Sequence, residues 1–386
     1  MINYGAHHID KEDISSVVSV LKSDSLTTGV QVENFEKSLN KYFQCKDSAV
    51  VSSGTAALHI AGMVLGWRKG DIVITTPITF VATVNAILYS GASPDLVDID
   101  MNTYAIDLNL LEKRIIYYKN RNKKVKGVIA VDYAGRPCDW EGLKWLSKKY
   151  GFQLVNDNCH AMGSKYKGRS DYATKYADIA THSYHPVKNF TTGEGGAILS
   201  NNYEYIKKAK ILRSHGLIYE RKTNLNKYYD LQSLGFNYRL NNFQCALGIS
   251  QLKKLPKFIK KRRSIAKIYN HYFEKMEFVN IINEKTSNQS SYHLYPLLIE
   301  FQKFNISKIQ FFNKMLKNKI RLQTHYMPIH FHSYYKKNFK FANRKYPKSE
   351  LFFEREVSLP IHYKIKFNEV KEISIKILKI LNFKKC

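Results

Sequence analysis

The chain of 386 residues contains few cysteines, few acidic residues and no long apolar run. Its five cysteines are odd in number, irregularly spaced and without a CxxC pair. This usage excludes a disulfide framework and a cysteine zinc site, and it predicts reduced thiols in a cytoplasmic protein. No stretch provides the roughly 20 apolar residues of a membrane-spanning helix. The first residues, MINYGAHHIDKED, are too polar for a secretory signal peptide, so we expect neither export nor membrane insertion.

The scarcity of acidic residues leaves a large positive charge. Lys and Arg number 61 against 32 for Asp and Glu, a formal net charge of +29. Such a charge suggests a nucleic-acid-binding protein, which is the non-enzymatic alternative. However, Lys, Asn, Ile, Tyr and Phe are all abundant, and all have A/T-rich codons. The basic runs at 119–126 and 253–263 lack the interleaved aromatic stripe of a single-strand binder. We therefore favour a codon bias and predict no nucleic-acid partner.

Histidines are concentrated near the C-terminus, at His325, His330, His332 and His362. They do not form a tetrad at metal-ligand spacing. The pattern is therefore typical of loop or core histidines, and we predict no metal site.

Strand and helix patterns alternate along the first half of the chain, after two amphipathic helices at 11–22 and 32–43. Strands are predicted at 49–51, 72–76, 96–100, 128–133, 153–157, 179–184 and 196–199. Helices are predicted at 57–65, 80–89, 108–118, 140–150 and 203–213. This alternation predicts an α/β fold with a mostly parallel sheet covered by helices on both faces. Ligands of such sheets bind at the carboxyl ends of the strands.

The second half indicates a smaller α/β domain. Helices are predicted at 242–252 and from there to about 273. The region from roughly residue 278 then has a predicted strand at 292–301 and helices at 307–317 and 368–381. The segment 332–348 is interpreted as a long loop. Because the length favours two domains, we expect a large domain at 1–250 and a small domain at 251–386.

The stretch THSYHPVKNFTTGEGG, residues 181–196, contains the most informative lysine. Two β-rich runs are joined by a Gly- and Thr-rich segment, with Lys188 shortly after a proline. A lysine whose pKa is lowered forms a Schiff base with carbonyl compounds, including pyridoxal phosphate (PLP). The alternative is an ordinary solvated lysine on a surface loop.

Three other motifs lie at predicted strand ends. SSGTAAL opens a helix, so the amides of Thr55 and Ala56 favour a phosphate there, although a simple helix cap is the alternative. VNDNCHAMG places Asp157 and His160 after a strand, where a carboxylate can pair with a protonated pyridine nitrogen or merely cap a helix. Phe80, after TPIT, either stacks on a ring or starts the core face of its helix.

These motifs resemble those of the DegT/DnrJ/EryC1/StrS sugar aminotransferases, which are PLP enzymes of fold type I. The resemblance extends essentially from end to end. It rests on LTTGVQVENFE, SSGTAALH, TPITFVATVNAIL, VDYAGRPCD, DNCHAMGSKYKG, SYHPVKNFTTGEGG, RSHGL, LGFNYRLNNFQCALGISQL and SLPIHY. Asn189 departs from the family pattern, in which Pro is usual, and Asn156 stands where an acidic residue is common.

The resemblance implies roles for the candidate residues. Lys188 forms the Schiff base with PLP and acts as the acid/base. Asp157 pairs with the pyridine nitrogen and His160 with the ring hydroxyl. The remaining cofactor contacts are Thr55, Ala56 and Ser183 at the phosphate, Phe80 stacked on the ring, and Asn237 from the neighbouring subunit. The resemblance therefore implies a homodimer with shared active sites.

Other matched positions imply substrate contacts, in part from the N-terminal segment. They are Tyr4, Ser25, Leu26, Thr27, Gly54, Thr324, His325 and Tyr326. The implied reaction moves an amino group from L-glutamate, which becomes 2-oxoglutarate, to C4 of a nucleotide-linked 4-keto-6-deoxy sugar. HPVK, RSHGL and HLYPLLI are most similar to family members that act on the UDP-linked precursor of pseudaminic acid.

Two alternatives within the family remain. One is amination of another dTDP- or UDP-linked 4-keto or 3-keto hexose. The other is a sugar dehydratase, which normally carries His in place of the lysine, so Lys188 argues against it.

Overall fold

Seven strands form the central sheet of the computed structural model, which describes residues 1–221, 227–281 and 288–382. Their order across the sheet is β1-β7-β6-β5-β4-β2-β3. The strands are β1 (Asp47–Val51), β2 (Ile72–Thr75), β3 (Ser93–Leu96), β4 (Val125–Val131), β5 (Gln153–Asp157), β6 (Ile179–Ser183) and β7 (Gly196–Ser200). Only β7 runs against its neighbours, β1 and β6. The other six strands are parallel, so their carboxyl ends lie along one edge.

Helices cover both faces of this sheet. Those before the long ninth helix are α1 (Lys11–Leu21), α2 (Val30–Phe43), α3 (Gly54–Val64), α4 (Val81–Tyr89), α5 (Leu108–Lys119), α6 (Trp140–Tyr150), α7 (Tyr172–Tyr176) and α8 (Tyr203–Leu212). Ile129 and Val155 pack with α3 and α4, whereas Val128 and Leu154 pack with α5 and α6. Because side chains alternate along a strand, the apolar runs serve both faces. The predicted α/β fold is confirmed.

A smaller three-stranded sheet follows, in the order β10-β11-β12. Its strands are β10 (Val279–Asn280), β11 (Tyr295–Ile299) and β12 (Glu356–Leu359), and a separate hairpin pairs β8 (Leu217–Arg221) with β9 (Lys227–Leu231). The later helices are α9 (Asn242–Phe273), α10 (Lys308–Lys317), α11 (Ser333–Asn338), α12 (Pro347–Arg355) and α13 (Phe367–Ile380).

The helix α9 is shared by two hydrophobic cores. Leu255 and Ile259 belong to the core beneath α2 and β7, while Tyr269 and Phe273 belong to the core of the small sheet. The predicted boundary at residue 250 lies inside this helix. The division into two domains stays a prediction.

The N-terminal segment connects the small sheet region to the loop of Lys188. Ile2 exchanges backbone hydrogen bonds with the strand-like segment at 319–321, and the Tyr4 carbonyl accepts from the Ile361 amide at 3.1 Å. A Cβ on Gly5 would contact the Val187 side chain at 3.5 Å. This path brings residues 2–5 beside the candidate lysine.

Three sequence predictions were wrong in detail. The third strand of the series is β3, not 96–100. The Asp98 side chain in that segment instead accepts the Lys348 and Ser349 amides at the start of α12. β3 contains a proline, which an edge strand tolerates because one side of its backbone needs no partner.

The segment 332–348 is not a long loop. It contains α11, a 3-10 turn and the start of α12. Its aromatic residues Tyr335, Phe341 and Tyr346 are buried together. The many lysines between them obscured this apolar face.

The two helices predicted around residue 252 are one helix. Pro256 lies inside α9, where it removes a single backbone donor. Packing on both sides of the proline compensates for that loss. The β8–β9 hairpin had no sequence prediction, and Cys386 lies outside the described residues.

Within the described ranges, no helix is both long and apolar enough to cross a membrane.

Candidate active site

The carboxyl edge of the sheet brings the main candidates together. Asp157 ends β5 and Ser183 ends β6, and these strands are hydrogen-bonded neighbours in parallel register. β4 pairs on the other side of β5, with Val131 opposite Asp157. The register therefore determines which side chains meet at this edge.

The N-terminus of α3 faces Ser183. Ser53 caps the helix, and its hydroxyl accepts the Ala56 amide at 3.1 Å. A Cβ on Gly54 would lie 2.7 Å from the Ser183 Cβ, so only glycine permits this approach. The first amides of a helix lack helical partners and attract anions. Gly54, Thr55 and Ser183 thus form a cradle suited to a phosphate, while the Ala56 amide is already bonded.

Lys188 lies on a loop that buried aromatic rings hold in place. The Tyr184 and Phe190 rings are 4.7 Å apart and fully buried. The Tyr184 carbonyl accepts from both the Thr191 hydroxyl and the Thr192 amide. Burial lowers the pKa of the Lys188 ammonium, although the nearby Asp157 carboxylate opposes that shift. A larger fraction of the amine is consequently neutral and nucleophilic.

Asp157 is a buried carboxylate whose orientation is fixed by neutral donors. Its Oδ2 accepts the Thr83 hydroxyl at 2.7 Å, and its Oδ1 accepts the Cys159 amide at 3.3 Å. The Thr79 hydroxyl lies 2.7 Å from the Thr83 hydroxyl. Since Thr83 uses its proton on Asp157, Thr79 donates to Thr83. Thr83 thus bonds the carboxylate directly, whereas the Thr79 hydroxyl bonds Thr83 and not Asp157.

His160 is buried and neutral. Burial, and then the neighbouring Lys188, hold its pKa well below the usual range. The Ala134 amide donates to Nδ1 at 3.3 Å, so the proton resides on Nε2. Nε2 lies 3.0 Å from the Tyr326 hydroxyl and donates to it. A hydrogen bond therefore joins His160, a predicted cofactor residue, to Tyr326, a predicted substrate residue.

The segment 324–326 is held from behind by the small sheet. The His325 amide donates to Glu356 Oε2 at 2.9 Å, and His325 Nδ1 lies 2.8 Å from the Ser358 hydroxyl. Ser358 donates its own proton to Glu356, so it accepts from His325 Nδ1. Burial lowers the pKa of His325 to about 3. With the proton on Nδ1, Nε2 is the acceptor nitrogen of the imidazole. Tyr133 further fixes the segment by donating to the His325 carbonyl.

Phe80 precedes α4 and is 55% exposed. Its ring lies 5.9 Å from the Tyr326 ring. A core residue at the start of a helix would be buried, so this alternative from the sequence is wrong. An exposed aromatic ring beside Tyr326 offers a stacking surface for a flat ring.

The remaining candidates lie around this centre. The Tyr4 ring is 5.2 Å from the His325 ring. The exposed segment with Ser25, Leu26 and Thr27 is tied to α9 through Asn242, which donates to the Ser25 carbonyl at 2.7 Å. Thr324 precedes His325, and Asn237 is exposed beside Tyr238. Contacts of these residues with a ligand stay predictions.

Both departures from the family pattern are buried asparagines. Asn189 donates to the Met162 carbonyl at 3.0 Å, and Asn156 donates to the Asp132 carboxylate at 3.1 Å. Each leaves its amide oxygen without a partner among the described residues. Neither replaces Lys188 or Asp157.

Several residues of the site were not singled out from the sequence. Thr83, Tyr133, Asp132, Glu356 and Ser358 act through contacts between distant parts of the chain. Asp132 had a recognisable signal, because it lies near the end of the predicted apolar strand 128–133, as Asp157 lies at the end of the predicted strand 153–157. The described residues contain no group of three His, Cys, Asp or Glu side chains suited to a metal ion.

The geometry combines four chemical elements at one edge. They are a lysine amine with a lowered pKa, a buried carboxylate, an anion cradle and an exposed aromatic ring. A flat, phosphorylated, cationic heterocycle bearing a carbonyl group matches all four.

Comparisons with known proteins agree with this chemistry. The chain is 39% identical over 381 residues to the UDP-4-amino-4,6-dideoxy-N-acetyl-beta-L-altrosamine transaminase of Campylobacter jejuni, covering 99% of this chain and 98% of that protein. The structure matches Helicobacter pylori PseC, an aminotransferase involved in the biosynthesis of pseudoaminic acid, with a TM-score of 0.90 and 33% identity over 99% of both chains.

A second structural match is the putative sugar aminotransferase Spr1654 from Streptococcus pneumoniae in its PMP form. The TM-score is 0.89 and the identity 28%, over 99% of both chains. The model of the DegT/DnrJ/EryC1/StrS aminotransferase family matches residues 7–378, which is nearly the whole chain. This range includes every candidate residue of the site except Tyr4. The chain therefore belongs to the DegT/DnrJ/EryC1/StrS aminotransferase family.

Proposed function

We propose that the protein is a PLP-dependent aminotransferase that acts on a nucleotide-linked keto sugar. The observation that carries this proposal is Lys188, a lysine with a lowered pKa beside the buried Asp157 carboxylate at the carboxyl edge of the sheet. The family membership supports the activity, and relatives described in PLP and PMP forms support the cofactor.

The residues present fit PLP. The cradle of Gly54, Thr55 and Ser183 suits its phosphate, and Asp157 suits its protonated ring nitrogen. The exposed Phe80 ring suits the stacking role that the family resemblance implies. When bound, PLP supplies an electron sink that stabilises negative charge at the carbon bearing the amino group.

The chain's own groups supply binding and proton transfer. Asp157, fixed by Thr83, presents a carboxylate where the ring nitrogen would bind. Lys188 Nζ takes and returns the proton at the reacting carbon, a role that its lowered pKa favours. His160 Nε2 donates to the Tyr326 hydroxyl, so a ring hydroxyl bound by His160 would replace Tyr326 as the acceptor.

We propose L-glutamate as the amino donor, which leaves as 2-oxoglutarate. The acceptor is C4 of a nucleotide-linked 4-keto-6-deoxy sugar, with the UDP-linked precursor of pseudaminic acid as the favoured substrate. The names of the Campylobacter jejuni relative and of PseC support this choice. His325 Nε2, the acceptor nitrogen of the imidazole, suits a sugar hydroxyl or amide donor.

A cytoplasmic homodimer completes the proposal. Asn237, which the family pattern assigns to the site of the neighbouring subunit, is exposed in the single chain. Large apolar side chains are exposed near it, at Tyr229, Leu231 and Leu234. Their exposure supports an interface on this side of the molecule.

The hydrogen bond from Thr83 to Asp157 generates a first prediction. Hydrogen bonds to charged groups contribute about 1.5 to 3 kcal/mol, so Thr83→Val should raise the Kd for PLP by about tenfold or more. Thr79→Val is the matched control, because it leaves the bond to Asp157 intact. Fluorescence titration of the apoprotein with PLP measures both values. Equal affinities of the two variants would contradict the role of Thr83.

Lys188→Ala should remove the visible absorption of the bound cofactor. It should also lower the conversion of glutamate to 2-oxoglutarate by about 10²- to 10⁴-fold or more, since the acid/base is lost. Lys175→Ala, at an exposed lysine of α7, serves as the control and should retain both properties. Absorption spectroscopy and a 2-oxoglutarate assay provide the measurements. A wild-type protein that stays colourless and inactive with added PLP would refute the proposed function.

The choice of substrate is tested with a panel of UDP- and dTDP-linked 4-keto and 3-keto sugars. We expect the highest kcat/KM for the UDP-linked 4-keto-6-deoxy precursor of pseudaminic acid, with the new amine at C4 by NMR. Preference for a dTDP-linked or 3-keto sugar would retain the aminotransferase and reject this substrate.

The shared site is tested by subunit mixing. Asn237→Ala and Lys188→Ala homodimers should each be impaired, but after subunit exchange a mixed dimer regains one intact site. At equal ratio about one quarter of the wild-type activity is expected, because half of the dimers are mixed and each has one intact site of two. Size-exclusion chromatography and activity assays measure the outcome. No recovery after verified exchange would show that Asn237 serves its own subunit.

A further inference from the structure

A second buried carboxylate, Asp132, lies immediately behind the end of β5. It follows β4 directly, and its amide donates to the Asp157 carbonyl at 3.2 Å. Its side chain is 0% exposed. The Asp132 amide thus adds one backbone hydrogen bond to the β4–β5 pairing after Val131 and Asp157, the last paired residues. This bond lies at Asp157, the residue whose carboxylate is the candidate partner of the cofactor.

The Asp132 carboxylate accepts five hydrogen bonds from neutral donors. Oδ1 accepts the Cys138 amide at 2.8 Å and the Trp140 indole at 3.0 Å. Oδ2 accepts Asn156 Nδ2 at 3.1 Å, Asn158 Nδ2 at 3.0 Å and the Tyr172 hydroxyl at 2.8 Å. Amide and indole N–H groups only donate, so the ionised form matches this environment. Burial raises the pKa of Asp132 to about 6, which still leaves the carboxylate ionised at neutral pH.

Two of these donors flank Asp157 in the sequence. Side chains alternate between the two faces along a strand. Asn156 and Asn158 therefore point to the face covered by α5 and α6. Asp157 points to the opposite face, where Thr83 of α4 lies. Asp132 therefore holds both neighbours of Asp157 from the opposite face. A rotation of the strand end that displaced Asp157 would break two hydrogen bonds to one buried charge.

We infer that Asp132 is a positioning residue, which sets the orientation of the Asp157 carboxylate toward the cofactor through Asn156 and Asn158. This inference rests on the proposed function, because it assumes that Asp157 pairs with the PLP ring nitrogen. The Asp132 carboxylate lies on the face of the sheet opposite the proposed PLP site. It acts only through Asn156 and Asn158, the residues on either side of Asp157.

Asp132→Asn tests the inference without a change of shape. The new amide group presents a donor to groups that also donate, so the end of β5 must move. We expect the Kd for PLP to rise by about tenfold or more. The pH midpoint of the visible absorption of the bound cofactor should also shift, because the negative charge at the ring nitrogen is displaced.

Asp95→Asn is the matched control. Asp95 is also a buried carboxylate, 2% exposed, with hydrogen bonds from Arg114, Tyr118 and Arg344. It lies on β3, which β2 and β4 separate from β5. Both variants should lower the Tm of the protein. Only Asp132→Asn should change the Kd for PLP and the pH midpoint.

The inference would be overturned if both variants lowered the Tm but kept the wild-type Kd for PLP and the wild-type pH midpoint. Asp132 would then have a purely structural role. If Asp132→Asn does not fold, Asn158→Ala removes one of the two flanking bonds and retains the charge. It should shift both observables in the same direction, and unchanged values would again overturn the inference. A wild-type chain that does not bind PLP would instead refute the proposed function and the inference with it.

Discussion

The parallel pairing of β4, β5 and β6 is the constraint on which the site depends. In this register Asp157 lies opposite Val131 on one side and Thr181 on the other. A slip of one residue would turn Asp157 to the other face of the sheet, away from Thr83 and Lys188. Parallel strands also direct their carboxyl ends to one edge, so the cradle at α3 and the loop of Lys188 converge without any direct link in sequence. The chemistry is therefore a consequence of strand order.

Burial gives this edge its electrostatic character. Desolvation favours the neutral forms of Lys188, His160 and His325, whose pKa values are all lowered. Neutral hydrogen-bond donors surround the carboxylates at the edge. An uncompensated buried charge is costly, and it favours a cationic ligand group such as a protonated ring nitrogen. The desolvation that lowers the pKa of Lys188 thus also strengthens the attraction of the buried carboxylate for a cationic partner.

Local signals explain which predictions were confirmed. The helix at 140–150 was predicted with its observed bounds, since the Asp139 side chain caps its start and Gly151 adopts the left-handed conformation at its end. The strand at 153–157 was bounded equally well by its apolar run. By contrast, the Thr83–Asp157 bond spans 74 positions, and no periodicity encodes such a contact. The aromatic cluster within 332–348 was missed because its burial depends on packing against α4. The sequence therefore predicts candidates for the chemistry, but not the residues that hold these candidates in place.

The large net positive charge of the chain belongs to its surface rather than to the candidate site. Two buried carboxylates each pair with two cations. Glu36 pairs with Arg213 and Lys210, and Asp95 pairs with Arg114 and Arg344. Basic side chains outnumber acidic ones by 61 to 32, and an exposed lysine loses little stability in water when it forms no ion pair. The site itself contains one candidate lysine among neutral histidines and buried carboxylates. A composition that suggests a polyanion partner is thus compatible with a site suited to a small cationic ring, because exposed lysines are screened by water and salt while the site's groups are buried.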